Sequence, residues 1–266
     1  MSDEILIARA DGVLEISLNR PERRNAINGT MVATMSDLFE AVAHDRDVRV
    51  VVVTGTGKDF SAGGDIKDVA PVLAQTPDER SAHFRKIVRK DAMRLFFAMN
   101  RIPQPVLVGV RGHAIGAAMQ MIAVADLVVA SETARFCIPQ IDLAHTVDHG
   151  ESWHLPRKVG HARAMQMCLP GERIDAVTAE RWGLVNWVVP DAELDARTDA
   201  IARRIAASSP IAAHGMKALL RSSATNSFED QFEQENLMIG SAVATTDFVE
   251  AINAFVEKRA PAFTGR

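Results

Sequence analysis

The sequence predicts an α/β core followed by a helical tail, and three observations carry that expectation. The runs 48–54, 105–110 and 126–130 are rich in β-branched residues and apolar on both faces, as parallel strands covered by helices would be. Segments with helical period lie before the first of them, at 30–44, and between the first two, at 78–100. From Asp142 onward helix signals dominate, with one extended stretch at 184–190. With 266 residues, 47% of them apolar, the chain can build a sizeable core, as one large domain or two small ones of about 100–200 residues.

The elements follow in order. Residues 5–8 and 13–18 flank Asp11-Gly12, a turn pair that tolerates positive φ, and read as a hairpin. A polar loop over 19–28 leads to a helix at 30–44, with Met31, Met35, Leu38, Phe39 and Val42 on its apolar stripe and Thr30 as the expected N-cap. The second helix, over 78–100, places Met93, Leu95, Phe96, Phe97 and Met99 at a spacing that reads as core before it reads as a substrate tunnel. The segment 112–125 is rich in glycine and alanine. No repeat, linker or low-complexity run interrupts the chain.

Composition excludes several function classes. Thirty Lys and Arg against 34 Asp and Glu leave a net charge of −4, which lacks the basic footprint of a nucleic-acid binder. Two cysteines, Cys137 and Cys168, without a CxxC companion support neither a disulfide framework nor a metal knuckle. The acidic start at Asp3 and Glu4 is unlike a secretory signal, and the longest apolar stretch, 114–130, is broken by Gln120 and Asp126, short of the ~18 residues of a spanning helix. The expectation is a soluble protein of a reducing cytoplasm.

Two small-residue turns follow buried strands: 60–66, Phe-Ser-Ala-Gly-Gly-Asp-Ile, and 112–119, Gly-His-Ala-Ile-Gly-Ala-Ala-Met. Each leads into a helix-like segment, so unpaired N–H groups there could converge on one oxygen as an oxyanion hole. Equally, the small residues could serve tight packing, with Asp65 as an N-cap. The stretch 138–151 gathers Asp142, His145, Asp148, His149 and Glu151, the raw material of acid–base chemistry. The same stretch contains Asp148-His149-Gly150-Glu151, a D-x-x-E pattern that would make Asp148 the cap of a short helix that Pro156 kinks or ends. No HxxxH or HExxH spacing points to a metal. His113 and His161 have no partner nearby in sequence and read as structural, and Arg20, Arg23, Arg24, Lys258 and Arg259 read as a solvated face or as phosphate partners.

Taken together, Asn19-Arg20-Pro21, Arg24-Asn25-Ala26-Ile27-Asn28, Val51 to Gly55, Phe60 to Ile66, Pro105 to Val108, Gly112 to Ala117 and Phe255 to Arg259 stand in the order and spacing of one family. The chain resembles the crotonase, or enoyl-CoA hydratase/isomerase, superfamily over nearly its whole length. The resemblance implies a ββα-superhelix core over 1–195 that binds acyl-CoA, and a C-terminal helical region over 196–266 that forms trimers and covers the active site. It places the oxyanion-hole amides on Gly64 and Ala117, and the coenzyme A contacts on Arg24, Ala62, Gly64, Asp65, Ile66 and Lys258, the last reaching a neighbouring subunit's ligand. It implies a homotrimer or a hexamer of paired trimers, no nucleic-acid or membrane partner, no metal, and no cofactor beyond the CoA of the substrate.

The departures from the family pattern shape the expected reaction. The two positions at which hydratases of this family resemble one another in carrying glutamate are Gln120 and Gln140 here, and an amide can orient a water but cannot take its proton. Asp148 falls where dienoyl-CoA isomerases and chlorobenzoyl-CoA dehalogenases of the family carry a functional aspartate, which favours a catalytic role over the cap. The dehalogenase reading also asks for a histidine where this chain has Met93 and apolar neighbours. The expectation is therefore a double-bond isomerase or related lyase that uses Asp148, tuned by His145 or His149. The alternatives are a hydrolase of a CoA thioester or β-diketone, and a catalytically silent acyl-CoA binder.

Overall fold

A computed structural model describes residues 3–266. The hairpin forms as its turn dipeptide dictates: β1 (Ile5–Ala10) and β2 (Val13–Leu18) pair antiparallel around Asp11 and Gly12, both at positive φ. Helix α1 (Gly29–Val42) follows, and β3 (Val50–Gly55) pairs in parallel with β2. The cap of α1 is Asn28 and not Thr30: its side chain accepts from the Met31 N–H at 2.9 Å, so the cap lies two residues earlier than expected. A short helix α2 (Ile66–Val69) leads to α3 (Pro77–Ile87), capped by a Thr76–Glu79 box, and then through a π-helical turn to α4 (Met93–Arg101). The single helix expected over 78–100 is thus one rod with a bulge at its middle.

Next come β4 (Val106–Val110), β5 (His113–Ile115), α5 (Ala117–Val124), β6 (Leu127–Ser131) and β7 (Arg135–Cys137). They are followed by α6 (Glu151–Val159), α7 (His161–Cys168), β8 (Ile174–Asp175), α8 (Ala176–Trp182) and β9 (Trp187–Val189). The main sheet runs β1-β2-β3-β4-β6-β9 and is parallel from β2 onward, while β5, β7 and β8 form a small second sheet. Sequence reasoning missed β7 and β8, which at three and two residues are too short to show a period. Alternation along the strands sorts the two faces: Val51, Val53, Val106 and Val108 join α1, α4 and α5 in the larger core, and Val50, Val52, Leu107 and Val129 face Leu194, Ala202 and Ala206.

Those three residues belong to α9 (Leu194–Ala206), so the boundary expected between 195 and 196 falls in the first turn of a helix that packs on the sheet. Helices α10 (Pro210–Ser222), α11 (Phe228–Val243) and α12 (Thr246–Glu257) complete the chain. Lys217 and Arg221 of α10 tie this region to the core, both meeting Asp126, and Lys217 also donates to the Gln104 carbonyl at 2.7 Å. The final residues fold back: Asp247 accepts from the Thr264 and Gly265 N–H groups, and Arg49 donates to the Phe263 carbonyl. Among the described residues no helix is long and apolar enough to cross a membrane.

Candidate active site

Two backbone turns are pressed together at one edge of the larger core. Gly63 has φ +91° and lies so close to the second turn that a Cβ there would stand 2.5 Å from the Ile115 carbonyl oxygen, which makes glycine obligatory. The Ser61 hydroxyl braces the first turn, donating to the Asn25 carbonyl at 2.8 Å and accepting from the Gly63 N–H at 3.1 Å. Asn25 in turn joins this loop to the end of β3, donating to the carbonyls of Thr56 and Asp59. The Ile27 N–H bonds to the Gly63 carbonyl and the Asp65 N–H to the Ile27 carbonyl, so the bonds flank Gly64 and leave its own N–H free.

On the other turn, Gly116 takes φ +55° and caps α5, which makes Ala117 the first residue of that helix, where an N–H has no acceptor within the helix. Neither the Gly64 nor the Ala117 N–H meets an acceptor among the described residues. A Cβ built on Gly64 or on Gly116 would find open space within 4 Å. Two free donors beside open space, one of them at a helix N-terminus, can hold an oxygen that gains negative charge. The far end of α5 is held as firmly: half-buried Lys158 donates to the Ile122 and Ala125 carbonyls at 2.9 Å each, and Arg221 donates to that of Val124. Cations there complement the helix dipole, although burial pulls the Lys158 ammonium down to about 8.

Apart from Lys258, the expected coenzyme A contacts belong to the first turn and the loop before it. Asp65 is the N-cap of α2, accepting from the Lys67 N–H at 3.0 Å and from Arg20 at 2.9 Å, and these donors hold its carboxyl below the usual range. Its side chain is thus committed to the loop. Arg24 is exposed, with Asp59 3.8 Å away, and its carbonyl accepts from the Ala62 N–H. Ile66 is 70% exposed. Lys258 ends α12 in a left-handed conformation and is exposed in the single chain. His113 is not unpartnered: its Nδ1 lies 2.6 Å from Asp59, a pairing hidden by the separation of the two residues in sequence.

The acidic side of the site is built by the turn Pro139–Leu143, the loop after it and the start of α6. Asp148 is not a helix cap: Gly150, at φ +95°, occupies that position, no side chain caps α6, and Asp148 contributes only its carbonyl to the Glu151 N–H. Its half-buried carboxylate instead stands 3.3 Å from His149 Nδ1. Pro156 does not end the helix, which continues to Val159 although the proline has no N–H to bond back to the Ser152 carbonyl. His149, at φ +56°, packs its ring on Phe96 with centroids 5.5 Å apart, and burial lowers its pKa. His145 is exposed and turned to the Thr146 carbonyl, so the histidine placed against Asp148 is His149.

Gln120 and Gln140 are both buried. Gln140 Nε2 donates to Glu151 Oε2 at 3.0 Å, and the Gln120 amide abuts Gly150, 3.2 Å from where a Cβ would stand. Glu151, which the sequence offers both to an acid–base cluster and to a D-x-x-E cap, is 1% exposed. The signal that finds it is its spacing: 151, 155 and 159 are the three buried positions of α6, a carboxyl on the apolar stripe. Burial, with the nearby charge of Asp148, pushes it up to about 8. Among the described residues no three His, Cys, Asp or Glu side chains come together as a metal-binding group.

Residues 8–266 match the model of the family described as enoyl-CoA hydratase/isomerase. The chain belongs to this family, the crotonase superfamily. It is 34% identical to the 2,3-dehydroadipyl-CoA hydratase of Escherichia coli, with 99% of both chains covered, and 32% identical to the 1,2-epoxyphenylacetyl-CoA isomerase of the same organism, with 100% of both covered. The crystal structure of an enoyl-CoA hydratase/isomerase of Mycobacterium abscessus superposes with a TM-score of 0.93 at 32% identity, covering 98% of this chain and 100% of that one. The crotonase fold and action on CoA thioesters follow from these relationships, and relatives with different reactions lie at similar distances.

Proposed function

We propose that this crotonase-family enzyme moves a double bond in an acyl-CoA thioester, using Asp148 as the proton carrier and the Gly64 and Ala117 N–H groups as its oxyanion hole. The observation that carries the reading is the pairing of two free amide donors with a half-buried aspartate, in a site whose other family acid positions are both glutamine. The Asp148 carboxylate takes a proton from carbon, and the C–H electron pair moves into the chain and onto the thioester oxygen as an enolate. The two N–H groups stabilise that oxygen, an interaction stronger in the transition state than in the ground state. As the electrons return, the protonated Asp148 gives its proton to a carbon further along. A single carboxyl that takes and returns one proton balances the reaction, and no water is consumed.

Arg24, Ala62, Asp65 and Ile66 would line the coenzyme A approach, with Lys258 supplied by a second copy of the chain. The exposed apolar side chains of α11 and α12 support a trimer or a pair of trimers as the working form. The test is a panel of enoyl-CoA thioesters offered to the purified protein, with the products read by mass and by double-bond position. Isomerisation leaves the mass unchanged and moves the bond. A gain of one water, release of free CoA, or an untouched panel would replace this reading by hydratase, hydrolase or binder respectively.

A further inference from the structure

The last carbonyls of α5 are answered by side chains that come from other elements. Its C-cap, Ala125, is extended at φ −56° and ψ 147°, so the chain passes within two residues into β6, and no left-handed turn folds back over the helix end. Lys158 Nζ donates to the Ile122 and Ala125 carbonyls at 2.9 Å each, and Arg221 takes the Val124 carbonyl at 2.9 Å. Ala118 to Val124 are all buried, and a carbonyl left unanswered there would carry the cost of a buried orphan. Arg221 reaches in from α10, whereas Lys158 belongs to α6, the helix that begins beside Asp148.

The two helices meet in the same order along both. Near their starts the Gln120 amide of α5 abuts Gly150, the residue that opens α6, and near their ends Ile122 and Ala125 meet Lys158. Both helices therefore begin at the site and finish at the lysine. One carries the free Ala117 N–H at its first residue, and the other follows Asp148 by three residues. At the near end the chain enters α5 through Gly116, at φ +55° and without a side chain to resist a change of angle. At 1.5 Å per residue α5 is about 12 Å long, so a tilt of about 5° about its far end moves Ala117 by about 1 Å. The lysine is thus placed where a small slackening is magnified at the oxyanion donor.

We propose that Lys158 is a positioning residue: by tying the end of α5 to α6 it sets the distance between the Ala117 N–H and Asp148. The proposal rests on the oxyanion-hole reading above, and its test separates the two. The probe is an aryl-conjugated enoyl-CoA, whose ultraviolet absorption moves to longer wavelength when hydrogen-bond donors draw electrons onto its thioester oxygen. The spectrum of the bound probe, and kcat and KM for the thioester turned over in the panel, are measured well below the melting temperature for the parent and three variants. These are Lys158→Met, Lys158→Gln and, as a control, Arg49→Met, which removes another cation that donates to two carbonyls, those of Ala206 and Phe263. Lys158→Met should lose most of the shift and about 10- to 100-fold in kcat, as a displacement of about 1 Å allows, with KM held within about twofold. Lys158→Gln, which keeps one donor, should fall between it and the parent, and Arg49→Met should match the parent. A parent that leaves the probe unshifted overturns the oxyanion hole and the positioning role together. Parent-like shift and kcat in folded Lys158→Met, or in Lys158→Gln where the methionine variant does not fold, overturns the positioning role and leaves the hole standing. So does a loss carried by KM alone, or an equal loss in Arg49→Met, which would make the effect a general loosening.

Discussion

A glutamine in place of a glutamate keeps two hydrogen-bonding atoms and gives up a titratable one, so the burden of proton transfer shifts to whichever carboxylate remains nearby. In the proposed function that is Asp148, whose side chain caps nothing. Asp148→Asn should therefore fold with an unchanged melting temperature, bind acyl-CoA, and lose about 10²–10⁴ in rate. A variant that melts early yet keeps its turnover per folded molecule would return Asp148 to a structural role. Glu151 makes a separate prediction about stability. Its folded value of about 8 lies above the ordinary 4.5, so between these pH values the native state binds more protons than the unfolded chain. Its contribution is present below about 4.5 and is lost as pH rises through about 8. Glu151→Gln removes that loss, and its stability relative to the parent should rise with pH across the window in paired denaturant titrations. His154, drawn down to about 4 by burial, tilts the profile the other way but is common to both proteins and cancels in the difference. Sequence reading singled out Asp148 through the family resemblance and left Glu151 between the acid–base cluster and the cap pattern, because D-x-x-E looks the same whether the aspartate bonds to the helix or, as here, a left-handed glycine starts it.

At the level of elements, the proposed oxyanion hole depends on where α5 begins. The helix starts at Ala117 because Gly116 takes a positive φ before it, and its other end is fixed by Lys158 and Arg221 on its last carbonyls. Ala117 is thus a first-turn residue with an N–H that no helix bond uses, the position at which proline is best tolerated. Ala117→Pro should keep the fold and delete the donor, lowering kcat by about 10²–10³, whereas Ala117→Ser should be nearly silent. Full turnover in a folded Ala117→Pro enzyme would remove this amide from the mechanism. Strands with apolar residues on both faces, and the two small-residue turns, were legible because burial and close approach restrict residue type directly. The contacts that set the turns were not, since Asp59 with His113 and Gly63 against Ile115 join residues separated by some fifty positions. Nor could periodicity show the π-helical turn between α3 and α4 or the three-residue β7, both shorter than any window that resolves a period.

For the whole molecule, the open question is what meets the outer faces of the last two helices. Phe228, Phe232, Leu237 and Ile239 on α11 and Phe248, Ile252 and Phe255 on α12 are all exposed in the single chain, a concentration of large apolar groups that a free monomer would present to water. Yet the region is docked and not loose, through Lys217 and Arg221 to Asp126 and through the returning C-terminus to Asp247. A firmly held apolar surface is the kind that closes a symmetric assembly. The expected outcome is a trimer or hexamer by light scattering at micromolar concentration, with Ile252→Glu and Phe255→Glu together shifting the mass to that of one chain while the circular dichroism stays native. Lys258 lies three residues beyond Phe255, exposed at the end of the same helix. If the interface brings it to a neighbour's coenzyme A, its ammonium adds a charge-assisted bond to phosphate worth about 1.5–3 kcal/mol. Lys258→Ala should then weaken CoA affinity by about 10- to 100-fold with the assembly unchanged, and the Ile252→Glu, Phe255→Glu double variant should show the same loss because it separates the subunits. A parent enzyme that scatters as a monomer, or a Lys258→Ala protein with native CoA affinity, would break the link between the outer helices and the site.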